Sequence, residues 1–189
     1  MKPTEELKRE HQAIKLMLKI ITEVARLLEA GQGVDLKDLN DILEFLKIFA
    51  DRCHHGKEEE LLFPALETVG IPRDRGPLGV MLSEHQSGRA LIKDMDSALS
   101  GMARGEERAG LNLARQARAY AELLTAHIDK EDNVLYPLAE ARLNQKIQKK
   151  LTEGFERIEN EVVGPGRHQE FHQLLEKLEE KYLEKTQTG

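Results

Sequence analysis

The strongest constraint on this chain is an internal repeat that carries histidine into the apolar face of a helix. Residues 10–12 and 84–86 both read EHQ, and 42 or 43 residues later each is followed by a matching segment. These segments are HHGKEEELLFP from His54 and HIDKEDNVLYP from His127. They agree in register at His54 and His127, Lys57 and Lys130, Glu58 and Glu131, Leu62 and Leu135, Phe63 and Tyr136, and Pro64 and Pro137. A period near 73 residues in two copies is too long and too few for a solenoid. The expected fold is all-α: an antiparallel four-helix bundle of two related helical hairpins, with a C-terminal helical extension.

Helical spacing supports this. Leu7, His11, Ile14, Leu18, Ile21, Ala25 and Leu28 recur at steps of three and four, the signature of one helix face. Thr4 is a candidate N-cap and Gly31 a candidate stop. A second helix is predicted from an Asp35 cap to about Leu62, where Pro64 interrupts it. The Gly- and Pro-rich segment VGIPRDRGP joins the two hairpins. A third helix presents Leu78, Met81, His85, Gly88, Ile92, Met95 and Leu99, with Gly101 and Gly105 bracketing the next turn. A fourth presents Leu113, Ala117, Tyr120, Leu124, His127, Glu131 and Val134, and Pro137 falls near its end. Residues 1–140 form the expected bundle. Residues 141–189 form the extension, with helices expected from Leu143 to Val163 and from Arg167 to Lys185.

His11, His54, Glu58, His85, His127 and Glu131 all fall in these apolar stripes, where Leu or Ile is the ordinary choice. Burying two ionised carboxylates without partners costs several kcal/mol each. Metal ions are the economical compensation, because His and Glu four apart on a helix project from one face and can clasp one ion. Four imidazoles and two carboxylates suit a dinuclear site in which each metal takes two histidines. Nitrogen and oxygen donors without thiolates favour iron or manganese and tolerate zinc.

Composition narrows the function further. Lys and Arg total 28 against 34 Asp and Glu, so a nucleic-acid partner is not expected. A single cysteine points to a reducing, cytoplasmic setting. The segment MKPTEELKREHQ turns charged before any apolar run, so neither a secretory leader nor a membrane partner is expected.

Across residues 7–140 these motifs together resemble the hemerythrin-like HHE cation-binding domain. The resemblance implies a non-haem di-iron centre with the six residues above as ligands. It also implies two iron ions with an oxo or hydroxo bridge, replaceable by manganese or zinc, and a small diatomic molecule or peroxide as partner. Oxygen carriers of the family place two histidines one turn apart on the third helix, whereas here Met81 and Arg89 flank His85. They also use Asp five residues after the last histidine. Asp132 stands at that offset, but Glu131 matches Glu58 in the repeat. The pattern is more similar to di-iron proteins implicated in iron–sulfur repair and in nitric oxide or peroxide stress. The alternative is reversible binding of oxygen or nitric oxide, or iron storage, without turnover.

Other residues rank lower. His55 and Glu59 lie about 100° round the helix from the ligand pair, which suggests a supporting or surface role. Tyr120 reads as core packing with a possible hydrogen bond into the site, and Cys53 as a small buried hydrophobe. His168 and His172 read as surface residues unless the extension folds over the site.

Overall fold

The computed structural model describes residues 1–184, the side chain of Val162 excepted. Lys185, the expected end of the last helix, lies outside the described residues. Those described fold as α1 (Pro3–Glu29), α2 (Leu36–Phe45), α3 (Phe63–Glu67), α4 (Gly76–Ala103), α5 (Ala109–Lys130), α6 (Tyr136–Arg142), α7 (Gln145–Ile158) and α8 (Arg167–Glu179). No strand occurs among them, so the chain is all-α. None of these helices is long and apolar enough to cross a membrane.

The ends follow local chemistry. Pro3 opens α1 at the first helical position, where its missing N–H costs nothing, so the cap is Lys2 and not Thr4. The Thr4 hydroxyl instead donates to Glu140 at 2.8 Å. Gly31 ends the helix in the left-handed region that favours glycine (φ 70°). Asp35 caps α2 by accepting from the Lys37 backbone at 2.8 Å. α4 runs through Gly101 to Ala103.

The prolines do not end the helices that contain them. Leu46–His55 and Glu58–Leu62 are π-helical and lead into α3, and Glu131–Leu135 links α5 to α6 in the same way. Phe63 N–H donates to Glu58 O, and Tyr136 N–H to Glu131 O, each five residues back. A proline ring collides with the preceding turn of an ordinary α-helix. The wider turn directly before Pro64 and Pro137 makes room for it, and such turns concentrate at functional sites.

α5 packs along both α1 and α4, and α2 packs on α4. The core is divided into two apolar clusters. One contains Ile14, Phe49, Ile92 and Leu124, and the other contains Leu7, Leu62, Phe63, Met81, Leu135 and Tyr136. His11, His54 and His85 fall in sequence between the two, whereas His127 is followed by Ile128 of the first cluster before Leu135 of the second. The extension joins both clusters, Leu151 and Phe155 entering one and Phe171, Leu175, Leu178 and Tyr182 the other. Gly154 permits the seating of α7, since a Cβ there would come within 2.8 Å of Leu61.

Candidate metal centre

The polar belt between the clusters contains the six residues singled out by the repeat, each at most 1% exposed. α1 contributes His11, α4 contributes His85 and α5 contributes His127. The π-helical segments contribute His54, Glu58 and Glu131. The structure draws all six together as two histidine pairs. Nε2 of His11 lies 3.0 Å from Nε2 of His54, and Nε2 of His85 lies 3.1 Å from Nε2 of His127.

The two glutamates lie between the pairs. Glu131 spans them, with one oxygen 3.2 Å from His11 Nε2 and the other 3.0 Å from His127 Nε2. Glu58 Oε2 is 3.5 Å from His85 Nε2 and 3.9 Å from His54 Nε2. Glu58 Oε2 and both oxygens of Glu131 are buried without an aligned hydrogen bond. Buried carboxylate oxygens are ordinarily satisfied.

Behind each imidazole stands a carboxylate on Nδ1. Asp132 holds His11 at 2.7 Å and Glu59 holds His85 at 2.6 Å. Glu10 holds His54 at 2.8 Å and Glu84 holds His127 at 2.8 Å. These partners obey the repeat, since Glu10 and Glu84 open the two EHQ triplets and Glu59 matches Asp132. A carboxylate on Nδ1 fixes ring orientation and leaves Nε2 to face the centre, the arrangement typical of metal-bound histidine.

Burial opposes charge at His11, His85, His127, Glu58 and Glu131, yet their ion pairs outweigh it. Asp132 and Glu131 lift His11 to about 9, and Glu58 and Glu59 lift His85 to about 9. His54 and His85 in turn hold Glu58 down to about 2. The belt is a cation trap, with buried anions held ionised by positive partners that a metal ion can replace.

The lower-ranked residues separate clearly. Glu59 is a support for His85. Met81 lies in an apolar cluster, while Arg89 donates to Asp51 and Glu59, both at 2.8 Å. His55 is not a surface residue. It is buried, stacks on His85 with ring centroids 3.9 Å apart, and has an unpartnered Nε2. It groups with Glu58, His85 and His127 as a further possible donor. The wide π-helical turn re-aims it inward, which a 100° projection misses. Tyr120 is core, with an unpartnered hydroxyl. Burial pushes the Cys53 thiol up to about 12, so it offers no thiolate. His168 is half-buried beside Phe49 at 5.1 Å, and His172 is exposed.

Like the outer carboxylates Glu10 and Glu84, Tyr136 is a site residue missing from the sequence reading. Its hydroxyl donates to Glu58 Oε1 at 2.7 Å and lies 3.2 Å from His11 Nε2. The signal was its pairing with Phe63, the one aromatic position of the repeat where a hydroxyl was gained.

The donor set fits metal ions. Two nitrogens bound at about 2.1 Å and at right angles on one ion lie about 3.0 Å apart, which is the spacing within each histidine pair. A third cluster, Glu10, Cys53 and Glu159, already surrounds the Lys57 ammonium. The family profile of the hemerythrin HHE cation binding domain matches residues 2–139. Three curated relatives, one uncharacterized protein of Mycobacterium bovis and two of Mycobacterium tuberculosis, are each 29% identical over 160 residues. The match covers 85% of this chain and 62% of each relative's length.

Proposed function

The chain belongs to the hemerythrin HHE cation-binding domain family, and on that premise we propose that its buried belt is a non-haem di-iron centre for redox chemistry on small oxidants. His11 and His54 would hold one iron and His85 and His127 the other, with Glu131 and Glu58 between the pairs. Their frame is an antiparallel four-helix bundle of two related hairpins, with the described residues from 141 to 184 as its extension. The reading is carried by one observation: two histidine pairs at ligand spacing, with three unpartnered carboxylate oxygens between them.

Bound iron supplies one-electron redox chemistry toward oxygen, peroxide or nitric oxide. The chain supplies the rest. Four carboxylates on Nδ1 fix the rings, and two apolar clusters flank the belt. The Tyr136 hydroxyl occupies Glu58 Oε1, leaving Oε2 facing His54 and His85. Burial, with Glu131 and Glu58 nearby, keeps that phenol protonated and therefore a donor.

Anaerobic iron loading followed by metal analysis tests the centre, and two irons per chain are expected. One metal, or zinc alone, overturns it. Stopped-flow spectra on mixing with air, peroxide or nitric oxide test the chemistry. Fast irreversible oxidation supports redox work. An oxygen-dependent spectrum that lasts minutes and reverses on degassing replaces it with a carrier.

A further inference from the structure

Lys57 and Lys130 are equivalent in the repeat, yet the extension treats them differently. The Lys57 ammonium is fully buried and held by three carboxylates: Glu10 at 2.5 Å, Glu159 at 2.6 Å and Glu6 at 2.8 Å. Phe155 of α7 covers it at 5.5 Å. Glu10 binds Lys57 through one oxygen and the His54 Nδ1–H through the other. A continuous chain therefore runs from Glu159 in the extension through Lys57 and Glu10 to the ring of His54. In the other half, Lys130 bonds Glu84 alone among the described residues, and its side chain is 40% exposed.

An imidazole moves only if its Nδ1 partner moves with it. Glu10 and Glu84 are each held on both oxygens, but Glu10 and its lysine are buried and that lysine is shared with two further carboxylates, while Glu84 is paired with a lysine that solvent can draw away. Release of a metal ion requires the rings that hold it to swing or to take up a proton. The clamped His54 ring must do so more slowly than its counterpart His127, and release from its half waits on it. Partners beyond the ligands typically alter metal affinity by about 10–100-fold.

We propose that Glu159 is a positioning residue of the metal centre, through which the extension locks the His54 imidazole and makes the His11–His54 half exchange metal more slowly than the His85–His127 half. This rests on the metal reading of the belt. The test uses the full chain as wild type, Glu159→Gln, Glu159→Asp and Glu161→Gln, the last an exposed control on the same turn.

In the ion-free protein, nuclear magnetic resonance of labelled histidines reads solvent exchange of the Nδ1 protons. Glu159→Gln is expected to speed exchange at His54 by about 10-fold and leave His127 unchanged, with partial rescue in Glu159→Asp. In the iron(II)-loaded protein, a chelator is expected to remove iron in two equal phases. Glu159→Gln should accelerate only the slow one, again by about 10-fold. A His54 rate unmoved by Glu159→Gln overturns the lock whether or not iron binds. A single release phase in wild type, equal acceleration of both phases, or the same effect in Glu161→Gln overturns the exchange difference. Failure of the wild type to take up iron overturns the metal reading itself, and the exchange difference with it.

Discussion

The two halves of the repeat place the same donors at the centre and surround them differently. Around His11 and His54, Lys57 is 0% exposed and Glu10 3%. Around His85 and His127, their counterparts Lys130 and Glu84 are 40% and 19% exposed. His55 stacks on His85 and is bonded by Asp51 where the matching positions hold Ile128 and Leu124, and Tyr136 stands where its match is Phe63. Duplication preserved what touches the centre. Divergence fell on the residues that cover, stack on or hydrogen-bond the donors, so two halves alike in donors differ in exposure.

Lysine substitution gives the largest expected contrast. Lys57→Met leaves Glu6, Glu10 and Glu159 without their shared cation, and urea unfolding should show a loss of about 3–5 kcal/mol. Lys130→Met should cost about 0–1 kcal/mol, as exposed pairs do. Equal losses would break the comparison.

Glu131→Ala should weaken metal binding by at least about 100-fold, about 2.7 kcal/mol, because its oxygens face both halves. Glu60, exposed and distant from the rings, is the control, since Glu59 supports His85. Metal content that survives in Glu131→Ala would remove the link between the halves.

Next in size come Glu10→Gln and Glu84→Gln. Both should weaken metal binding within the range of about 10–100-fold, with Glu10 at the upper end because it also holds Lys57. A reversed order in titrations would place the tighter half on the wrong side.

Tyr136→Phe makes the aromatic positions identical and strands Glu58 Oε1. A loss of about 1–2 kcal/mol is expected in unfolding experiments on the metal-free protein.

The smallest effect concerns Asp51. Burial works to raise its carboxyl, but the hydrogen bond from His55 and the Arg89 guanidinium outweigh it and leave it at about 2. A depressed carboxyl contributes stability above its unfolded value of about 3.9 and loses it as pH falls through about 2. Asp51→Asn should therefore lose about 1 kcal/mol near neutrality, with the gap closing in acid. A gap independent of pH would show that the ionised carboxylate is not what matters.

Much of this was legible because burial imposes a period on helical sequence. Leu7, Ile14 and Leu18 announce α1 through steps of three and four, and a histidine kept in that stripe twice over announces a polar belt. The outer carboxylates were equally visible in principle. Glu10 and Glu84 begin both EHQ triplets, but spacing along one helix says nothing about which ring on another helix they meet. Pro64 and Pro137 misled for a related reason. A proline reports the hydrogen bond it cannot make, not the wider turn that accommodates it.

The sequence by itself determined the helical class, the twofold repeat and the identity of the buried donors, since each depends on residue type and periodicity alone. Tertiary structure decided how the donors pair, that His55 turns inward to stack on His85, and that Tyr136 reaches Glu58. It also brought Glu159, 102 residues along the chain, onto Lys57 and closed one half of the centre. Those outcomes depend on distances between helices and on the wide turns that aim their side chains. Such quantities are set by packing and leave no periodic trace in the chain.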